Sequence, residues 1–263
     1  METQLILGMR ELAPHYDGFI VDLWGVIHDG VAPMPDALEC LRSLKEPPGL
    51  YDDVMSSGEE TWQHLSRRDD PFYAALGRRC LHIGSERDME IRDGLGLEFS
   101  DCVERAQFIL NTGPAGWDDR IEDYEPVLCA ALRRALPMVC ANPDIVVMHG
   151  DRLALCAGAL AKWYEEGGGR VRWHGKPFGS VYDACLGLLG IADRARVLAL
   201  GDSLRTDIAG ADGAGIDSVL IAGGIHAQEL GTPGAQGPDL ARIQTAMREG
   251  SYNPLGVAWT LRW

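Results

Sequence analysis

Three carboxylates and one amine stand where this chain could do chemistry. Asp22 closes the apolar run Phe19-Ile20-Val21, and Gly25 loosens the backbone just after it. Asp202 follows the run Val197-Leu198-Ala199-Leu200-Gly201, and Asp207 stands five residues further on. Lys176 lies between Gly175 and Pro177, shortly after the strand-like Val171 to Trp173. A carboxylate is one of the few side chains that can act as a covalent nucleophile. Two acids at a strand end suit a hard cation such as Mg²⁺, which takes few carboxylates and keeps several waters. A single lysine in an acidic protein suits a phosphate. Each residue alone also has a plainer reading: Asp22 as part of a turn, Asp207 as an acid in a first helical turn, Lys176 as a solvated charge.

The elements needed to hold these residues are legible as alternating strands and helices. Apolar runs predict strands at Phe19 to Val21, Arg79 to Ile83, Ala106 to Leu110, Pro137 to Ala141, Ile145 to Met148, Val171 to Trp173, Arg196 to Leu200, Ser218 to Ile221 and Val257 to Leu261. Helical spacing predicts helices at Leu5 to Leu12, Pro35 to Lys45, from Thr61, and at Asp88 to Leu95, Tyr124 to Ala135, Leu153 to Glu166, Val181 to Leu189, Thr206 to Ala214 and Leu240 to Arg248. Gly231 to Pro238 reads as a surface loop. The alternation implies an α/β protein with mostly parallel sheets. In such sheets ligands sit beyond the carboxyl ends of the strands, where Asp22 and Asp202 fall.

Composition narrows the partners. The chain has 263 residues and a formal charge of −15, from 39 acids against 24 Lys plus Arg. No basic surplus exists to neutralise phosphates, so neither nucleic acid nor an anionic membrane is an expected partner. The seven cysteines are scattered singly, without a C-x-x-C, as expected of reduced thiols in the cytoplasm. The N-terminus has no signal-peptide pattern, and no apolar run reaches the roughly 20 residues of a bilayer span.

Asp22-Leu23-Trp24-Gly25-Val26, Gly175-Lys176-Pro177 and Gly201-Asp202-Ser203-Leu204-Arg205-Thr206-Asp207 together resemble motifs one, three and four of the haloacid dehalogenase (HAD) superfamily. The wording around Lys176 and Asp202 is similar to its class IIA branch, the NagD-like and p-nitrophenyl phosphatase-like proteins. The resemblance implies a Rossmann-like core of residues 1–58 and 175–263, with an inserted α/β cap of residues 59–174 that closes over the site. It also implies a Mg²⁺-dependent phosphatase acting on a small phosphorylated metabolite. Asp22 would be the nucleophile that becomes an aspartyl-phosphate. Asp22, Asp202 and the main-chain carbonyl of Trp24 would hold Mg²⁺, and Asp207 would support it from behind. Lys176 would neutralise nucleophile and phosphate. Asn142 and Asp144, in Cys140-Ala141-Asn142-Pro143-Asp144, would face the substrate pocket, although Asn and Asp also cap turns. A homodimer through the cap is a further implication.

Two departures from the family pattern stand out. The family's phosphatases carry a second Asp two residues after the nucleophile, for proton transfer; here that residue is Trp24, and His28 is the nearby substitute. Motif two, a strand ending in Ser or Thr, should follow the Pro35–Lys45 helix. The chain runs instead through Glu46-Pro47-Pro48-Gly49 to the very short Val54-Met55: either the core is shortened, or Ser56 or Ser57 takes over the phosphate contact, or this sequence lacks residues that the natural protein has. These losses set a second expectation beside the phosphatase: a weakened or inactive phosphate-ligand binding protein. A third, carbon–halogen hydrolysis, draws on the aromatic Trp24 but leaves Asp202 and Asp207 without a purpose.

Overall fold

The computed structural model describes residues 4–29, 31–44, 50–149, 152–231 and 237–263. The chain divides into two compact units, Met1–Val54 with Lys176–Trp263, and Met55–Gly175. The divisions fall before the Ser57 helix and after Gly175, so that helix belongs whole to the second unit. In chain order the first unit opens with β1 (Gln4–Leu5), β2 (Gly18–Val21) and α1 (Pro35–Leu44). The second unit carries α2 (Ser57–Arg67), α3 (Pro71–Ala74), β3 (Arg79–Ile83), β4 (Glu98–Phe99), β5 (Phe108–Asn111), α4 (Ile121–Arg133) and β6 (Met138–Cys140). It ends with β7 (Val146–His149), β8 (Arg152–Leu155), α5 (Ala157–Glu166) and β9 (Val171–Trp173). The first unit resumes with α6 (Gly179–Leu189), β10 (Val197–Gly201), α7 (Ala209–Ala214), β11 (Asp217–Ile221), α8 (Ala227–Leu230), α9 (Leu240–Gly250) and β12 (Gly256–Ala258).

The first unit is built on a parallel sheet of order β1-β12-β11-β10-β2. All five residues of β10 are buried, as its unbroken apolar run requires of a strand covered on both faces. Leu198, Leu200, Val219 and Ile221 pack with Ala37 and Cys40 of α1 and with Val26 of the loop after β2. The segment from Leu5 to Leu12 is not the helix its periodicity predicts. Leu5 pairs with Val257, Ile6 N donates to Val257 O at 2.8 Å, and only Met9–Glu11 winds, as a 3₁₀ turn. A sheet partner some 250 residues away overrides a weak local preference. Val54-Met55 forms no strand. Among the described residues, β2 is therefore an edge strand; Lys45 and the Glu46–Gly49 stretch lie outside them, as do Gly30 and 232–236 of the predicted Gly231 loop.

The second unit has its own parallel sheet, β4-β3-β5-β6-β9, with a separate antiparallel hairpin of β7 and β8. That hairpin corrects the helix expected to start at Leu153. Residues 152–155 pair with 146–149, Cys156 stays extended, and helix α5 starts only at Ala157. Four residues ahead of a helix can satisfy either period, and here strand pairing decides. Asp88 to Leu95 is likewise a 3₁₀ run, over Glu86–Arg92. Leu160, Ala161 and Tyr164 of α5 join Leu128 and Ala131 of α4 over Ile109, Met138 and Cys140 of the sheet. Among the described residues, no helix is long and apolar enough to cross a membrane.

Gly158 shows how tightly α5 sits. A Cβ there would stand 2.2 Å from Pro143 O and 2.6 Å from Asp144 O, both main chain. Gly→Ala inside a helix normally gains up to about 1 kcal/mol. Gly158→Ala should instead lose about 1–3 kcal/mol, as overpacking does, read as a lower urea midpoint.

Candidate active site

The sheet register brings the two strand-end acids together. Val21 of β2 pairs with Leu200 of β10, and Asp22 N donates to Leu200 O at 2.8 Å. Asp22 and Asp202 thus leave neighbouring strands at the same end. Asp207 joins them from the turn after β10, a single π-type turn over Leu204–Ile208. One carboxylate oxygen from each of Asp22, Asp202 and Asp207 lies within 4.8 Å of the other two. Lys176, at the start of the returning segment, puts its Nζ between two of them, 2.5 Å from Asp22 Oδ1 and 2.6 Å from Asp207 Oδ1.

Main chain forms much of the wall. Gly25 has φ +81°, and a Cβ there would fall 1.9 Å from Asp202 Oδ2; one on Gly224 would fall 2.2 Å from the same atom. Only glycine fits either place. Gly201 is packed as closely against Asp207, whose Cγ would be 2.2 Å from an added Cβ. Val26, fully buried, pins the loop after Asp22 into the core, and Gly25 N donates to His28 O at 2.8 Å. Asp202 Oδ2 accepts from Ile225 N at 2.7 Å, and Asp207 Oδ2 accepts from Ser203 N at 3.1 Å. Tyr182 Oη donates to Asp207 O at 3.0 Å. Sequence reasoning missed Tyr182 and the Ile225 amide. The Gly223-Gly224 pair at the end of β11 is the one signal that pointed toward that amide.

Crowding of like charge in a buried place shifts the titrations. Burial, with further repulsion from Asp22 and Asp207, pushes the Asp202 carboxyl up to about 6. Asp207 is raised for the same first reason, burial, which outweighs the attraction of Lys176. Burial alone would lower Lys176, but Asp207 and Asp22 overcome it and hold the ammonium above the ordinary lysine value. Three carboxylates face one ammonium, and every ligating atom of the three acids is oxygen. Such a donor set fits a hard dication such as Mg²⁺. Asp207, committed to Lys176 and Ser203 N, is placed to steady the others.

The remaining residues picked from the sequence divide between the two units. Trp24 is 63% exposed, its indole set edge-on to the His28 ring at 5.3 Å. Ser57 is the first residue of α2 in the second unit, with its carbonyl accepting from Thr61 Oγ1 at 2.7 Å. Asn142, also in the second unit, accepts from Asp144 N at 3.0 Å, a turn-capping bond. Asp144 O accepts from Gly158 N at 2.9 Å.

Known proteins show the same arrangement of chain. The family model described as HAD-hydrolase-like matches residues 173–242. A solved hydrolase of the haloacid dehalogenase-like family from Brucella suis is 33% identical, with TM-score 0.73 over 84% of this chain and 94% of that one. The chain therefore belongs to the haloacid dehalogenase-like family of hydrolases, and its neighbours agree with the class IIA branch. A curated 5'-nucleotidase, YutF of Bacillus subtilis, is 25% identical over 85% of this chain and 93% of its own length. The p-nitrophenyl phosphatase of Archaeoglobus fulgidus shares the fold at 20% identity, TM-score 0.70, over 92% of this chain and 95% of that one.

The Asp202 shift has a stability consequence. A carboxyl raised from 3.8 to about 6 destabilises the metal-free fold when ionised. The penalty is full above about pH 6 and absent below about pH 4. Asp202→Asn, which can keep an acceptor for Ile225 N, should therefore raise metal-free stability at pH 7.5 by about 2–3 kcal/mol. The gain should vanish by about pH 4 in paired urea titrations.

Proposed function

We propose that this hydrolase is a Mg²⁺-dependent phosphatase of small phosphorylated metabolites, with Asp22 as its nucleophile. The observation that carries the reading is Lys176 Nζ bridging Asp22 and Asp207 inside the acidic cluster. The phosphatase and nucleotidase among the similar proteins support it.

In this mechanism an Asp22 carboxylate oxygen attacks phosphorus as the ester oxygen leaves, giving an aspartyl-phosphate. Water then cleaves the new P–O bond, releasing phosphate and restoring Asp22. Lys176 draws charge from Asp22 before attack and from the phosphoryl oxygens during it. Asp207 and Ser203 N keep the ammonium aimed. Asp22, Asp202 and the Trp24 carbonyl would hold Mg²⁺, which supplies the Lewis-acid charge that the phosphoryl group needs. With none of the seven cysteines in a disulfide, the chain suits a reducing, cytoplasmic setting.

Trp24 sets the limit of this chemistry. Indole neither gives nor takes a proton here, so general acid help of about 10²–10⁴-fold is lost. Leaving groups that depart unprotonated, aryl and acyl phosphates, are favoured. Weak turnover of alkyl phosphates follows from the same residue, and it is the form in which the low-activity reading survives.

Mg²⁺-dependent release of nitrophenol from its phosphate is the direct assay. Asp22→Asn should abolish release, and chelation should do the same to the unaltered protein; equal turnover by Asp22→Asn would remove the nucleophile assignment. Trp24→Asp should raise turnover of an alkyl phosphate by about 10²-fold or more while changing the aryl substrate little. A uniform gain or no gain would overturn the proton-transfer account.

A further inference from the structure

The second unit carries another set of ligating side chains, unrelated to the acidic cluster. Glu60 and His64 lie four residues apart on α2, on one face of the helix. His174 follows β9 directly. One ligand atom from each lies within 4.8 Å of the other two. Glu60 is 0% and His174 1% exposed, while His64 is half-buried and gives the cluster a route to solvent.

The contacts around these residues hold Glu60 and His174 against each other, with His64 beside them. Glu60 Oε1 and His174 Nδ1 face each other at 2.8 Å. The outer oxygen, Oε2, accepts from Gly175 N at 2.9 Å. The outer nitrogen of His174, Nε2, is hydrogen-bonded to Tyr73 Oη. The His64 ring lies 5.1 Å from that of His174 and stacks on Tyr73 at 5.3 Å. In metal centres the ligating imidazole and carboxylate are fixed in this way, each by a hydrogen bond to its far atom. Two imidazoles with one carboxylate suit a borderline dication such as Zn²⁺, whereas Mg²⁺ prefers the all-oxygen cluster of the first unit.

We propose that Glu60, His64 and His174 form a second metal site, for a Zn²⁺-type transition dication, with Tyr73 and Gly175 N as the groups that aim its ligands. The ion replaces the proton shared between Glu60 Oε1 and His174 Nδ1. It joins the first helix of the second unit to the end of that unit's last strand, so its role is to brace the unit. The site stands whether or not Asp22 is a nucleophile.

The test loads the full chain with Zn²⁺ in excess Mg²⁺, desalts it and measures retained zinc by mass spectrometry, with Co²⁺ absorption as the report on ligands. Asp202→Asn, which removes the first cluster, is run beside it. Both proteins should retain one Zn²⁺ per chain. His64→Ala should lose zinc and the cobalt ligand-field bands, and Tyr73→Phe should weaken zinc by about 10–100-fold. No retained zinc, loss of zinc in Asp202→Asn, or undiminished zinc in His64→Ala would each overturn the site. Should His64→Ala fail to fold, Tyr73→Phe decides alone, and unchanged affinity there refutes the proposal.

Discussion

The ammonium of Lys176 between Asp22 and Asp207 is the interaction on which the site depends. Three carboxylates cannot be packed at one end of a sheet without a counter-charge, because each is partly stripped of water and repels the others. Lys176 removes part of that repulsion and leaves the rest. The residual negative charge is what makes the cluster a receptor for a dication. It also explains how an acidic chain, with few cations to offer, could handle an anionic substrate.

Geometry for this cluster comes from the parallel sheet and two short connections. Register between β2 and β10 fixes the spacing of Asp22 and Asp202. Buried Val26 anchors one connection, and the π-type turn from Leu204 turns Asp207 back toward the strand that precedes it. π-type turns are uncommon and cluster at functional places. The second unit repeats the parallel-sheet plan with its own core, and its buried polar network is of a different kind, imidazole and phenol about one carboxylate.

Much of this was readable in the residues. The apolar runs ending in Asp22 and Asp202 named both strands, their relative direction and the acids at their ends. Lys176 was readable from its setting between glycine and proline. Other parts were not, for physical reasons. The pairing of Leu5 with Val257 and of β7 with β8 depends on partners that local periodicity does not report. Tyr182 acts through a tertiary contact and carries no pattern, and the Ile225 amide is marked only by the two glycines before it. Glu60 and His64 have helical spacing, but His174 meets Glu60 and Tyr73 only through the fold, across some 100 residues of sequence. The gap after α1, by contrast, was visible as a break in the strand–helix alternation. It reappears in the fold as β2 at the sheet's edge among the described residues.

Gly25, Gly201 and Gly224 carry a consequence for how this enzyme could diversify. Because backbone at these positions presses directly on Asp202 and Asp207, a side chain added at any of the three has no room. Drift at those three positions is closed off by sterics. Any lineage adapting this chain to a new substrate would have to leave the acidic cluster as inherited, and would record its changes at positions such as the exposed Trp24, where a side chain is free to vary.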